Sequence, residues 1–164
     1  MTHIIHPIPP FYDENSKVLI LGSFPSVKSR EQMFFYGHPQ NRFWKMLADI
    51  FGEKIPASVD EKKALLKKHR IAVWDVIKSC KIEGSSDSSI TDAVPNDINE
   101  ILSRSDIGKI ILNGKTAEKY YNRFISEQIE TDAVCLPSTS PANAAWSLEK
   151  LTETWKKALL EALS

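Results

Sequence analysis

This chain has no staple, no membrane span and no glycine-rich phosphate cradle. Of its 164 residues only Cys80 and Cys135 are cysteines. They lie far apart and neither belongs to a C-x-x-C pair, which excludes a disulfide scaffold and a cysteine-built zinc site and fits a reducing compartment. No apolar run approaches the roughly 20 residues that cross a bilayer. Met1 to Pro7 lacks the charged region and apolar stretch of a signal peptide. The expectation is a cytoplasmic chain, nuclear in a cell that has a nucleus, with no membrane partner. Charge of neither sign prevails, with 21 Lys and Arg against 21 Asp and Glu. A polyanionic partner is therefore neither indicated nor excluded, because local clustering decides that. The turn Gly22-Ser23-Phe24-Pro25-Ser26 has one glycine and lacks the G-x-G-x-x-G and Gly-Lys-Ser/Thr patterns, so nucleotide binding of those kinds is unsupported there. The 4 histidines are isolated, with no ligand spacing on a helix face, so neither a metal nor a cofactor is expected.

What is present is ordinary for a soluble globular protein: 42% hydrophobic and 26% charged residues. The length suits a single domain, residues 1–164, with its own core. Short apolar runs read as strands at Val18 to Leu21, Ile71 to Trp74, Lys109 to Leu112 and Ala133 to Leu136. Between them, helical periodicity covers Asn41 to Phe51, Val59 to His69 behind a Ser58 cap, Asn96 to Ser103 and Thr116 to Ile125. A last helix follows Ser147, its Leu148, Leu151, Trp155, Leu159 and Leu163 spaced at three and four residues. Glu83 to Ser89 reads as a Ser/Gly/Asp-rich loop. Strands alternating with helices indicate an α/β fold with a parallel sheet covered on both faces.

Such sheets bind ligands beyond the carboxyl ends of their strands. The segments found there are Gly22-Ser23-Phe24-Pro25-Ser26, Asp75, Asn113-Gly114 and Pro137 to Asn143. Each also has a plain structural reading. The first is a strand-ending turn, Asn113-Gly114 a tight turn, and the hydroxyl-rich Pro137-Ser138-Thr139-Ser140-Pro141-Ala142-Asn143 a solvated loop. The Lys-rich stretch Glu61 to Lys68 reads as a solvated helix face. Tyr36-Gly37-His38-Pro39-Gln40-Asn41-Arg42-Phe43-Trp44 is harder to dismiss. Asn41 as a helix cap, with Phe43 and Trp44 as core, leaves Tyr36, His38 and Gln40 without a task. The Pro39 that follows makes a structural turn an equal reading of His38. The Asn113 carboxamide carries both a donor and an acceptor, the pairing needed to read the edge of a base.

Taken in order, the turn at 18–26, the string "HPQNRFW" at 38–44, the Asn113-Gly114 strand exit and the Leu136-to-Asn143 loop resemble the uracil-DNA glycosylase superfamily. The similarity is strongest to its hypoxanthine (deoxyinosine) branch and to the related mismatch-specific branch. The resemblance implies a three-layer sandwich around a four-stranded, mainly parallel sheet. It implies a monomeric, monofunctional DNA glycosylase that excises deaminated bases from DNA without metal or cofactor, hypoxanthine first and uracil or xanthine next. Gly22, Ser23 and Phe24 would line the base pocket, Tyr36 would stack on the flipped base and Asn113 would read its edge. Ser138, Thr139, Ser140 and Asn143 would form the loop that approaches DNA.

Three positions depart from the better-known branches. Phe24 stands where many relatives carry an acidic or amide side chain, Ser138 where His or Asn is usual, and Ala142-Asn143 where a bulky wedge is usual. The resemblance to the hypoxanthine branch therefore assigns catalysis to Asn41, whose carboxamide can orient water. The alternative is a module that binds damaged DNA and no longer cuts. A glycosidase acting on free nucleosides is a third possibility. No lysine sits inside the motifs as a Schiff-base former, so β-lyase activity is not expected.

Overall fold

Val18–Gly22 carries backbone donors and acceptors into the interior, where only neighbouring strands can satisfy them. In a computed structural model describing residues 2–164, all five residues of this strand are buried, and it pairs in parallel on both sides. We number the strands in chain order: β1 (Thr2–Ile5), β2 (Val18–Gly22), β3 (Ile71–Asp75), β4 (Ile77–Ile82), β5 (Thr91–Pro95), β6 (Lys109–Asn113) and β7 (Asp132–Leu136). The helices are α1 (Val27–Gln32), α2 (Phe43–Phe51), α3 (Val59–Lys68), α4 (Ile98–Leu102), α5 (Lys115–Phe124) and α6 (Leu148–Leu163). The parallel sheet has the order β3-β2-β6-β7. This is the four-stranded parallel sheet flanked by helices that the sequence predicted.

Alternation along β2 divides the core in two. Val18 and Ile20 face a cluster with Phe34, Phe35, Phe43, Trp44, Leu66 and Trp155, supplied mainly by α2, α3 and α6. Leu19 and Leu21 face Ile77, Cys80, Ile98, Ile101, Tyr120 and Tyr121, supplied by β4, α4 and α5. At roughly 1.5–3 kcal/mol for each large apolar side chain buried, these two clusters supply the main favourable term for the fold.

Helix starts follow local chemistry. The Ser58 and Ser147 hydroxyls accept from the Glu61 and Lys150 amides, capping α3 and α6 as predicted. Three features differ from the sequence expectation. The second helix opens at Phe43 rather than Asn41, because Asn41 is held in a turn before it. A second, antiparallel sheet of order β1-β4-β5 was not expected. Register shifts at Ile77/Ser79 and Ser79/Lys81 break the apolar/polar alternation of β4, and β1 and β5 are mostly exposed, so neither periodicity nor hydrophobicity marks them. The short α1 also escaped prediction; it spans six residues, of which only Ser29 is buried, too few to show a period. No helix among the described residues is long and apolar enough to cross a membrane.

The chain leaves β2 for β3 on one side, while β6 pairs on the other, so the order reverses between β2 and β6. That reversal opens the crevice for ligands in such sheets. In register, Gly22 lies beside Asp75 on one side and Leu21 beside Leu112 on the other, with Asn113 next in line. Trp155 on α6 closes the wall behind β7. It is wholly buried, and its indole N–H donates to the Pro137 carbonyl at 2.9 Å. Trp155→Ala removes that ring and bond together, and a urea titration should show a loss of about 3–5 kcal/mol.

Candidate active site

Close approach at Gly22 sets the floor of the crevice. A Cβ added there would lie 2.5 Å from Asp75 Oδ1 and 3.2 Å from the Tyr36 hydroxyl. Only glycine lets those two side chains converge on the end of β2. The turn that follows is tied down by its own backbone, the Gly22 and Ser23 carbonyls accepting from the Val76 and Ile77 amides.

Asp75 ends β3 with its carboxylate almost enclosed. Its Oδ2 lies 2.7 Å from His6 Nε2, and the two side chains are 5% and 2% exposed. The Ile8 amide donates to His6 Nδ1 at 3.1 Å, so that nitrogen is an acceptor and Nε2 carries the proton given to Asp75. A neutral imidazole thus orients the carboxylate and leaves its charge uncancelled.

Tyr36 reaches this floor from a left-handed backbone position, φ 54°. One face of its ring stacks on Phe43, with centroids 4.0 Å apart and planes at 24°. Its hydroxyl is fully buried and finds no hydrogen-bond partner among the described residues. Burial, with the nearby Asp75 carboxylate adding to it, pushes this phenol far up, so it stays a neutral donor. Asn113 lies beside it but turns its amide to Thr139: Oδ1 accepts from the Thr139 amide at 3.0 Å, and Nδ2 donates to Thr139 Oγ1 at 3.1 Å. Each Asn113 atom keeps one further bonding position.

The string "HPQNRFW" forms the adjoining wall. His38 closes a turn on itself, its Nδ1 accepting from the Gln40 amide and its carbonyl from the Asn41 amide. Asn41 Oδ1 accepts from the Phe43 amide at 3.0 Å, satisfying the first donor of α2 from just outside the helix. The other end of that carboxamide has no protein acceptor among the described residues, and Asn41 is half-buried.

Arg42 ties this wall to the loop after β7. Its guanidinium donates to the carbonyls of Thr139 at 3.3 Å, Ser140 at 2.8 Å and Asn143 at 3.0 Å, and to that of Trp146. Its backbone amide adds a second bond to the Thr139 carbonyl. Within the loop, Ser138 and Ser140 accept from the amides two residues on, and Asn143 Nδ2 donates to the Ser138 carbonyl. Thr139 is completely buried. Gly114, at φ +97°, leaves room for this loop, since a Cβ there would meet Ser138 Cβ at 2.8 Å.

The crevice therefore gathers Gly22, Ser23, Tyr36 and Asn113, with Asn41 and the 138–143 loop clamped beside them. Phe24 is different. It packs edge-on against His6 at 5.7 Å, under the Arg30 guanidinium, as part of the core behind the turn. Sequence reasoning overlooked four residues: His6, Arg42, Asp75 as a charged group, and Asp87. Asp87 lies in the 83–89 loop, yet the Ser23 hydroxyl donates to both its carboxylate oxygens, at 3.0 and 3.1 Å. Only Asp75 gave a signal, by standing at a strand exit.

The sequence profile described as "Uracil DNA glycosylase superfamily" matches residues 9–164. This chain belongs to that superfamily. Two proteins named "Hypoxanthine DNA glycosylase" are similar to it. The one from Methanosarcina acetivorans is 38% identical over 149 residues, covering 88% of this chain and 92% of the relative. The one from Methanosarcina barkeri is 36% identical over 152 residues, covering 92% and 94%. A solution NMR structure from Methanosarcina acetivorans, of a protein proposed to be a uracil DNA glycosylase, superposes with a TM-score of 0.79 at 33% identity, covering 96% of this chain and 97% of that one. The superfamily match extends over both crevice walls, including the string at 38–44 and the loop at 137–143.

The Arg42 clamp makes a direct prediction. Arg42→Ala leaves four carbonyls without their charged donor and should lower stability by about 1.5–3 kcal/mol in urea. Amide hydrogen exchange across 138–146 should accelerate more than exchange in β2. Arg42→Lys should recover little of either effect, since a single ammonium cannot match the fork.

Proposed function

We propose that hypoxanthine is the preferred base of this enzyme, with uracil or xanthine next, and that it works as a monomer on DNA. The coarser statement is plain: the chain is a DNA glycosylase that hydrolyses the N-glycosidic bond of deaminated bases. One observation carries the finer reading. At the β2/β6 reversal, Gly22, the Tyr36 ring and the Asn113 amide converge, and the amide keeps one donor and one acceptor free.

A base inside a duplex cannot enter such a crevice until its nucleotide turns out of the stack. The exposed side of the Tyr36 ring then offers a stacking face, since Phe43 backs the other. The lactam edge of hypoxanthine, like that of uracil or xanthine, presents a carbonyl beside an N–H, which the free positions of Asn113 complement. Adenine presents an amino group beside a bare ring nitrogen, so its pattern there is inverted. The loop at 138–143, fixed by Arg42, lies along the DNA strand.

Bond cleavage leaves positive charge on the sugar and negative charge on the departing base. Asn41 stands on the wall beside the crevice with its Nδ2 end free, placed to orient the attacking water. A carboxamide is a poor base, but positioning accounts for much of the barrier in a dissociative cleavage. Backbone groups of the Gly22–Ser23 turn face the departing base.

A set of oligonucleotides each bearing one deoxyinosine, deoxyuridine or deoxyxanthosine, treated with the protein and then with alkali, tests this. Strand breaks should appear at deoxyinosine first. Tight binding without any break would instead make the protein a module that recognises damage without cutting. Asn41→Ala should slow excision by about 100-fold or more. Loss of its bond to the Phe43 amide costs stability of only about 1 kcal/mol, too little to unfold the protein at 25 °C and mimic that effect.

A further inference from the structure

The floor of the crevice carries more negative charge than holding a neutral base requires. Asp75 is paired with a neutral imidazole, and Asp87 comes from a different loop to the same turn. Among the described residues no Lys, Arg or His stands within ion-pair distance of Asp87. The Ser23 hydroxyl donates to both oxygens, and Thr116, on the first turn of α5, also faces the carboxyl. Asp87 thus spans the exits of β2 and β6, across the reversal of strand order.

Its loop is built to hold it there. The Val27 amide donates to Ser85 Oγ at 2.9 Å, and Arg30 Nη2 donates to the Gly84 carbonyl at 3.3 Å. A short 3-10 helix begins at Asp87 itself. Depth assigns it a neighbour. The Tyr36 hydroxyl, Gly22 and Asn113 are buried, whereas Asp87 lies exposed at the rim with its carboxylate turned in onto Ser23. A base seated on the deep groups leaves its sugar at the rim.

We propose that Asp87 is a second catalytic residue of this site, a rim carboxylate that faces C1′ of the flipped deoxyribose. This rests on the glycosylase reading above. As the C1′–N bond breaks, its electron pair leaves with the base and C1′ becomes cationic; Asp87 is the uncompensated negative charge beside it. The water held by Asn41 forms the new C1′–O bond. Its proton passes to the Asp87 carboxylate and on to solvent, while the departing base takes a proton from solvent. A carboxylate with no resident cation suits a cation that exists only in the transition state.

Asp87 is exposed as a residue, but its carboxyl leans in against the Ser23 turn, and desolvation there raises it above the usual carboxylate range; the Ser23 bond opposes that rise, and the Asp75 charge adds to it. The other titratable groups that sense it are Tyr36, Cys80 on β4 and Tyr120 on α5. The active form is the ionised one, so activity should fall as acid protonates Asp87, at a pH higher than an ordinary aspartate would give.

Single-turnover excision from a deoxyinosine duplex across pH decides the matter. Asp87→Asn should lower the rate by about 100-fold or more and abolish the acid limb. Its binding to a duplex carrying non-cleavable 2′-fluorodeoxyinosine should be no weaker than wild type, because a negative charge has left the DNA face. Ser23→Ala should move the acid limb to higher pH, having removed the bond that holds the carboxyl down. An Asp87→Asn rate within threefold of wild type, or one that keeps the acid limb, overturns the proposal. If Asp87→Asn does not fold, an unmoved limb in Ser23→Ala overturns it instead. Wild-type protein that releases no base from any of the three lesions removes the glycosylase reading and this inference with it. Active wild type beside active Asp87→Asn removes Asp87 alone.

Discussion

Everything at the site depends on how closely β2 can be approached at its last residue. Parallel pairing on both flanks fixes Gly22 beside Asp75 and sets it one step past the Leu21–Leu112 pair, level with Asn113 at the end of β6. Without a side chain at Gly22, the Asp75 carboxylate and the Tyr36 phenol both come in over the end of the strand. Any larger residue would push one of them away, and each is tied to further structure. Asp75 is bonded to His6 near the amino terminus, and Tyr36 is stacked on the first turn of α2. A single missing Cβ therefore brings three distant stretches of chain, near residues 6, 36 and 75, to one point.

The opposite wall depends on a different kind of contact. Asn113 and Arg42, from different elements, both hold Thr139, one through its side chain and amide, the other through its carbonyl. The loop after β7 contributes no regular structure between Pro137 and Trp146. Without those bonds its carbonyls would face a half-buried arginine with nothing to set their spacing. Arg42 follows Asn41 directly, so the bonds that fix the loop also fix the residue beside the proposed water position.

These differences in kind explain what the sequence revealed. The parallel sheet was legible because β2, β3, β6 and β7 are short apolar runs broken by turn residues. The order of motifs was legible because local chemistry, an Asn-Gly exit or a hydroxyl-rich loop, marks a strand end wherever it occurs. The second sheet was not, since a bulged β4 hides its alternation and β1 and β5 bury little. Asn113 and Asn41 could be singled out as amides at the right places, but not their bonds to Thr139 and to the Phe43 amide. Asp87 could not be found at all, because its partner is Ser23, 64 residues earlier, and its neighbours in sequence are typical of an idle loop. Phe24 shows the converse: it sits within a motif, but its ring packs behind the turn.

The crevice concentrates costs that the rest of the fold avoids. Tyr36 takes a left-handed backbone position worth about 1–3 kcal/mol of strain. Its buried hydroxyl lacks a partner, which costs another ~1–3 kcal/mol. The Asp75 carboxylate stands close enough to disfavour the charge on Asp87. None of this helps the chain fold, and a Phe at 36 or an Asn at 87 would relieve part of it. The two apolar clusters that sandwich the sheet offset it, each large enough to hold β2 in place whatever stands at its exit. A site that merely gripped a neutral base would gain from cancelling those charges, because anionic groups at its rim repel the phosphates of DNA. Their persistence at the strand exits makes sense where a positive charge must be met for the short life of a transition state.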